Sequence, residues 1–576
     1  MGNKAWKIFP RPLFETVLNH HAKHHPRVEQ PLILHGPRGV GKTTLFQDRL
    51  LDEWNKGPHL TAYVDFAESI KDHHPLHSGS YPWTSWTNCE RPSLSYLQNQ
   101  LDSSLESMAE RGIQLGSISS RQIFTTMQKW HGLTTSLRQI LEANNASSSS
   151  LRTSGPRKAL TSAKAKTSTA SLWDRAVFTL SARLNAEELD RVLGIEESGK
   201  RNSTIPVEEA SYIREAFAAL RLAKEVIRVQ QSWRKNAVAE MNKKGGFSRS
   251  LANSATDWPC LLVELLSQSA EMDFFQPKLV INNIDVLRIA ISADDTTVRA
   301  PVYHDSLIWR LIALGTNERT LPIILVTTDS YYSYRAYLEF GFIEIFISRE
   351  NFGWNLLEAK EHMVPDYFSS KEWELISEVI GPSPRHLFEI YALKQSNYYR
   401  KILDEKGSTF EDIIDAYLAY LQVTTIKPAM DRALVLLQNF AADARKGKIP
   451  KDKLRFGAPW RHPPQSDNPT LSYKWAKIQL LDFVQCYANA KFGVNYLADC
   501  SLEIFDDPAA LAMIEVGLLY CARDPSFLCP VTPGIERCLV RWLVQERMQL
   551  DYWDYIQYRW QRLFRGRYYR HLMKQL

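Results

Sequence analysis

The sequence predicts an α/β chain whose parallel sheet is interrupted by a long helical insertion and followed by a mostly helical C-terminal half. Three observations predict it. Pro31-Leu-Ile-Leu-His35 is a short apolar run that ends at a glycine, the pattern of a strand buried on both faces. Thr44 to Trp54 then carries Leu45, Phe46, Leu50 and Leu51 at helical spacing, and Thr61-Ala-Tyr-Val-Asp65 reads as a second strand. Strand patterns next disappear from about residue 67 to 260, and resume at Lys278–Asn282, Leu321–Thr327 and Phe342–Ile347. A chain of 576 residues exceeds what one core supports, so three or four domains are expected.

Inside the insertion, residues 146–171 are Ser/Thr/Ala-rich with five basic residues and no acid, which predicts a disordered linker. Pro206 to Lys244 predicts one long helix, opened by Pro206 and ended by Gly245-Gly246. Its seam of Ile213, Phe217, Leu220 and Ile227 is too irregular for a coiled coil. Residues 350–400 read as helical, broken at Gly381-Pro-Ser-Pro384. There Gly381 ends one helix, Ser383 caps the next and Pro384 fits its first turn. Helix continues over 405–500 with a proline-rich break at 459–469. Asp507-Pro508 opens a helix ending at Gly517; Leu518–Cys521 and Phe527–Val531 predict a hairpin, and Gly534–Val544 another helix, the plan of a winged helix. The expected division is 1–66 and 266–350 for the α/β core, 67–265 for the insertion, 351–400 for lid-like helices, 401–498 for a helical domain, 499–546 for the winged helix and 547–576 for a basic aromatic tail.

Composition excludes several classes. No apolar run approaches the roughly 20 residues of a membrane helix, and Met1–Pro12 has no apolar signal region. An intracellular protein, cytoplasmic or nuclear and not secreted, is expected. Trp6 stands where a myristoylation signal needs Ser or Thr. The seven cysteines are scattered without a CxxC pair, which argues against zinc and against a disulfide framework. His20, His21, His24, His25, His73, His74 and His77 have no acid or cysteine at ligand spacing and read as solvated loop residues. Residues 559–576 hold six cations and no acidic side chain, enough to account for the net charge of +6. That tail interleaves cations with aromatics and has two readings: a phosphate- and base-binding surface, or a helix packing Trp560, Leu563 and Phe564 while its arginines face water.

Gly36-Pro37-Arg38-Gly39-Val40-Gly41-Lys42-Thr43 matches G-x-x-x-x-G-K-[ST] in full and continues into Thr44. The glycines let successive backbone N–H groups turn toward phosphates, and the helix that follows adds partial positive charge. Lys42 would reach the β- and γ-phosphates and Thr43 would hold magnesium. No N-K-x-D element selects guanine, so ATP with Mg2+ is the expected ligand.

With that loop in place, the chain resembles the archaeal-type ATPases of the STAND and AAA+-like groups, including the origin-recognition branch. Phe9-Pro-Arg11-Pro-Leu-Phe-Glu15 resembles their arginine-bearing leading segment, and Leu279–Leu287 falls where Walker B belongs. Ile324–Ser330 is similar to a sensor 1 strand, and Gly381–Leu387 to the glycine–proline motif that opens a lid. The resemblance implies a P-loop NTPase core, with Asn282 beside the metal, Asn283 or Asp285 in the catalytic position, Thr327 and Thr328 as sensors and Pro384 and Arg385 in the lid. It also departs from the family: Asn282-Asn283 replaces an Asp and an acidic residue. An amide keeps an oxygen acceptor but takes no proton at neutral pH. Asp65 has two readings, a metal partner or a strand-end polar residue. Arg310 and Arg319 lie in the interval of a trans-acting arginine, without an assignment.

The expectation is an ATP-binding regulatory switch with weak or absent hydrolysis, its protein partners engaged through the insertion and winged helix. The alternatives are an origin-recognition-like ATPase that binds DNA through winged helix and basic tail, and a scaffold in which nucleotide is structural.

Overall fold

The computed structural model describes residues 6–23, 30–70, 83, 86, 89–130, 132–149, 168–184, 207–242, 249–271, 274–292, 298–315, 321–329, 347–351, 353–396, 409–450, 462–488, 494–496, 505–523 and 526–565. Five parallel strands form the main sheet: β1 Leu32–His35, β2 His59–Asp65, β3 Gln276–Asn282, β4 Ile323–Val326 and β5 Ile347–Glu350, in the order β2-β3-β4-β1-β5. Side chains alternate across a strand, and this sheet uses both faces. Leu32, Leu34, Val280, Ile324 and Val326 join Leu18, Phe46 and Trp54 in one core, under the helix Pro12–Ala22 and the helix that follows the loop. Ile33, Val64, Leu279, Ile281, Ile323 and Leu325 face the other way and pack into the helices of the insertion. The insertion therefore closes one face of the sheet, which explains the continuous apolar runs Leu32–Leu34, Leu279–Ile281 and Ile323–Val326.

The helix after the loop starts at Lys42, passes through a π turn at Phe46–Leu50 and ends at Trp54. The long insertion helix spans Val207–Asn242, as its pattern predicts. The expected linker is shorter than predicted. Helices run to Ser149 and resume at Thr169, where Ser168 caps by accepting from the Ser171 N–H; residues 150–167 lie outside the described residues. Of the predicted strand Phe342–Ile347, only Ile347 is described, and it begins β5. His20 and His21 sit in a helix rather than a loop, and buried His21 meets the Ile323 carbonyl. The other five of those histidines lie outside the described residues.

The helices from Leu356 onward and the C-terminal strands share a third core. Gly381-Pro-Ser-Pro384 separates the helices Ser370–Val379 and Pro384–Gln395. Further on, the helix Pro508–Glu515 leads into the antiparallel strands β7 Leu519–Cys521 and β8 Phe527–Pro530, then the helix Pro533–Met548. A strand not foreseen, β6 Val494–Asn495, adds to β8. The tail forms the helix Tyr552–Arg565 in the opposite attitude to the packed reading: Trp560 and Leu563 are exposed while Tyr558 is buried. No helix among the described residues is long and apolar enough to cross a membrane.

Candidate functional site

The loop after β1 opens at the C-terminal ends of the parallel strands, where connections from neighbouring strands diverge and open α/β sheets leave a crevice. Gly39 has φ +82, a conformation that L side chains rarely adopt, and a Cβ there would lie 3.0 Å from the Trp83 ring. Lys42 is buried and donates from Nζ to the carbonyls of Gly36 (2.8 Å) and Pro37 (2.9 Å). Burial pushes its pKa down to about 7, against the pull of Asp285 and with help from Arg38. The Arg38 guanidinium lies 4.1 Å over the Trp86 ring, and burial lowers its pKa to about 10.

Asn282 at the end of β3 points its amide at Thr43 Oγ1 (3.1 Å) and at the Tyr63 hydroxyl (3.0 Å). Turned by half a rotation, the same amide would offer its oxygen to both hydroxyls. Asn283 is the one non-glycine residue with positive φ (54°) among the described residues, and its Nδ2 donates to Asp65 Oδ1 (2.8 Å). Asp65 Oδ1 also accepts from the Ala67 N–H, so Asp65 holds Asn283 and the turn after β2. Asp285 is buried and accepts from Thr327 Oγ1 (2.8 Å), while its Oδ2 has no hydrogen-bond partner among the described residues. Burial, then Asp329, push this carboxyl above the usual range.

The two sensor candidates separate. Thr327 closes a turn, bonding Asp285 and accepting from the Asp329 N–H. Thr328 lines the cavity with a buried hydroxyl that has no partner among the described residues. Pro384 and Arg385 also line it. Arg385 donates its backbone N–H to the Gly39 carbonyl (3.2 Å), stacks 4.2 Å over Trp83 and pairs with Glu389 (2.8 Å). Glu389 also accepts from Trp83 Nε1 and from the Tyr417 hydroxyl. Arg310 is committed elsewhere, bonded to Asp257 and lying over Trp130; Arg319 lies outside the described residues.

Arg38 to Thr44, Asn283, Thr328, Pro384 and Arg385 line a cavity of about 460 Å³, and Ile8, Phe9, Trp354 and Phe388 contribute apolar surface. Arg11 braces that side by donating to Asn351 Oδ1 and the Gly353 carbonyl. The size falls within the range of small-ligand sites, and the wall combines apolar side chains with the cations Lys7, Arg11, Arg38, Lys42 and Arg385. Among the described residues lining the cavity, Asp48 is the single carboxylate, a turn beyond Thr44. The arrangement can hold an anion and a flat apolar group; it offers no carboxylate at the Asn283 position. Sequence reasoning missed Trp83 and Trp86, which come from the insertion; their only local signal is two tryptophans three apart. It missed Tyr63 as well, whose strand position predicts burial but no partner.

No protein-family model, curated protein or solved structure matches this chain.

Proposed function

We propose that the chain binds ATP with magnesium in the loop Gly36–Thr44 and acts as a nucleotide-dependent regulatory switch that hydrolyses slowly or not at all. The observation that carries the binding reading is the buried Lys42 ammonium, held on the loop's own carbonyls at the wall of the cavity. Phosphate oxygens would supply the charge that this ammonium lacks. Thr43 and the Asn282 amide oxygen fit a magnesium ion weakly, because both are neutral and most of the coordination would come from phosphates and water. The ion would neutralise phosphate charge there. Slow hydrolysis follows from Asn283, which sits at the cavity, is tied to Asp65 and accepts no proton. Asp285 is occupied with Thr327 and is not among the cavity-lining residues.

The switch reading rests on contacts to the loop from two distant segments. Arg385 in the lid holds the Gly39 carbonyl, and Tyr520 in β7 bonds Nδ1 of His35, the residue before Gly36 (3.0 Å). A ligand that moves the loop changes both contacts. Wild type, Lys42→Ala and Asn283→Glu should be compared for ATP binding and turnover. Binding by wild type, its loss in Lys42→Ala and a wild-type rate well below about 1 per second are expected. Ordinary turnover abolished by Lys42→Ala would overturn the slow-hydrolysis part, and undiminished binding in Lys42→Ala would overturn the site. A permanently retained nucleotide would favour the scaffold alternative. The reading of the second C-terminal helix as a DNA reader gains no support, since Arg537 and Arg541 bond the Glu378 carbonyl and Asp415 of the same chain.

A further inference from the structure

Thr43 Oγ1, the oxygen that would hold magnesium, sits in a neutral corner. Asn282 Nδ2 donates to that oxygen (3.1 Å) and to the Tyr63 hydroxyl (3.0 Å), and burial keeps the Tyr63 phenol protonated. Asp65 and Asp285 lie close by in the chain but are turned to other partners. Asp65 accepts from Asn283 and from the Ala67 N–H, and Asp285 accepts from Thr327. Neither is among the described residues that line the cavity. Asp48, the carboxylate that does line it, lies five residues past Thr43, more than about 100° round the helix. Magnesium in nucleotide sites takes one or two carboxylates together with phosphate oxygens and water. Among the described residues, no such carboxylate stands beside Thr43. The cationic side of the wall differs. Lys7, Arg11 and Arg385 direct their charge to Asp366, to Asn351 with Gly353, and to Glu389. Lys42 and Arg38 are buried within the loop itself, Lys42 on two carbonyls and Arg38 with its guanidinium 4.1 Å over the Trp86 ring.

We propose that magnesium is dispensable for nucleotide binding in this cavity, and that the Arg38 guanidinium supplies the charge the ion would bring. The proposal rests on the nucleotide reading of the cavity and narrows the ion's part in it. A guanidinium suits the task, because its planar fork meets two phosphate oxygens at once and its face accepts an aromatic ring. Trp86 provides that ring, and both residues line the cavity. Arg38 lies between Gly36 and Gly41, in the stretch whose backbone would wrap the phosphates. Its charge is therefore in place before any ligand arrives, and no ion has to be captured from solution. Asn282 acquires a reason on the same terms. A carboxylate at that position, with no ion to answer it, would face the phosphates and repel them.

The test is calorimetric titration of ATP into the full chain, once in excess magnesium chloride and once in excess EDTA. The two affinities should agree within about threefold. Arg38→Met should weaken binding about tenfold or more in EDTA, while Arg38→Lys, which keeps the charge, should lose less. Asn282→Asp should reverse the pattern, weakening ATP in EDTA and making magnesium improve its affinity about tenfold. Melting temperatures show whether each variant is folded, and the wild-type comparison depends on none of them. Loss of wild-type binding on chelation overturns the proposal and leaves the nucleotide reading standing. So does a folded Arg38→Met variant that binds ATP undiminished in EDTA. Absence of wild-type binding in both media overturns the nucleotide reading, and this proposal with it.

Discussion

Lys42 shows how a single buried charge would tie nucleotide binding to pH. Its pKa falls from 10.5 to about 7 because burial disfavours the ammonium. A depressed lysine costs stability wherever it is charged in the folded state, and that cost is relieved as pH rises from about 7 toward the unfolded value. Bound phosphates would raise the pKa again, so nucleotide binding at about pH 8.5 should take up a proton. Affinity should then fall as pH rises above about 7.5. Titration calorimetry in buffers of different ionisation enthalpy reads the uptake directly, and zero uptake would contradict it. Asn283 makes the complementary point about backbone. Asparagine tolerates its left-handed φ of 54° and bonds Asp65; glutamate does neither. Asn283→Glu should lower stability by about 1–2 kcal/mol, visible as a shifted urea midpoint. An unshifted midpoint would mean that backbone conformation does not select this asparagine.

The turn between the two lid helices is the element on which the C-terminal half rests. Gly381 has φ +81, and a Cβ there would lie 2.8 Å from Pro533 Cγ, at the start of the helix Pro533–Met548. Gly381→Ala combines a strained backbone with a clash and should cost at least about 1–2 kcal/mol. Hydrogen exchange should place the loosening at residues 533–548; a loss spread evenly over the chain would argue against this hinge. Much of the element level was legible in the sequence because alternation and turn chemistry are local: the β1 run, the helix start at Pro384 and the hairpin appear where the pattern puts them, although Ser383 stands at the N-cap position without a side-chain capping bond. The loop at Gly36–Thr44 was legible for the same reason. Of the two readings of the tail, the packed one fails because an amphipathic pattern shows two faces without saying which turns inward; Lys474 and Asp482, far off in sequence, decide that. Trp83 and Trp86 escaped notice because their partners, Arg385 and Arg38, are set by tertiary packing.

At the scale of the molecule, two polar bridges join the C-terminal region to the cavity. The first runs from His35 to the Tyr520 hydroxyl; Glu350 lies 3.8 Å from the same His35 nitrogen, and its Oε2 accepts from the Arg523 N–H. Burial pushes His35 down to about 3, so it serves as a neutral ring. The second is His386, likewise pushed to about 3 by burial, between the hydroxyls of Tyr417 and Thr532 and stacked on Trp83. Tyr520→Phe removes one hydroxyl from a buried network, a loss of about 1–3 kcal/mol. It should weaken nucleotide binding several-fold and abolish any nucleotide-dependent protection of β7 and β8 from proteolysis; unchanged protection would show that the first bridge carries no coupling. The same bond sets a timetable for synthesis. Its partners are 485 residues apart in sequence. At about 5–20 residues per second, His35 leaves the ribosome roughly 25 to 100 s before Tyr520 exists. Through most of that interval β1, apolar from Leu32 to Leu34, waits for both of its neighbouring strands, so the nascent chain must be shielded long before the sheet can close around it.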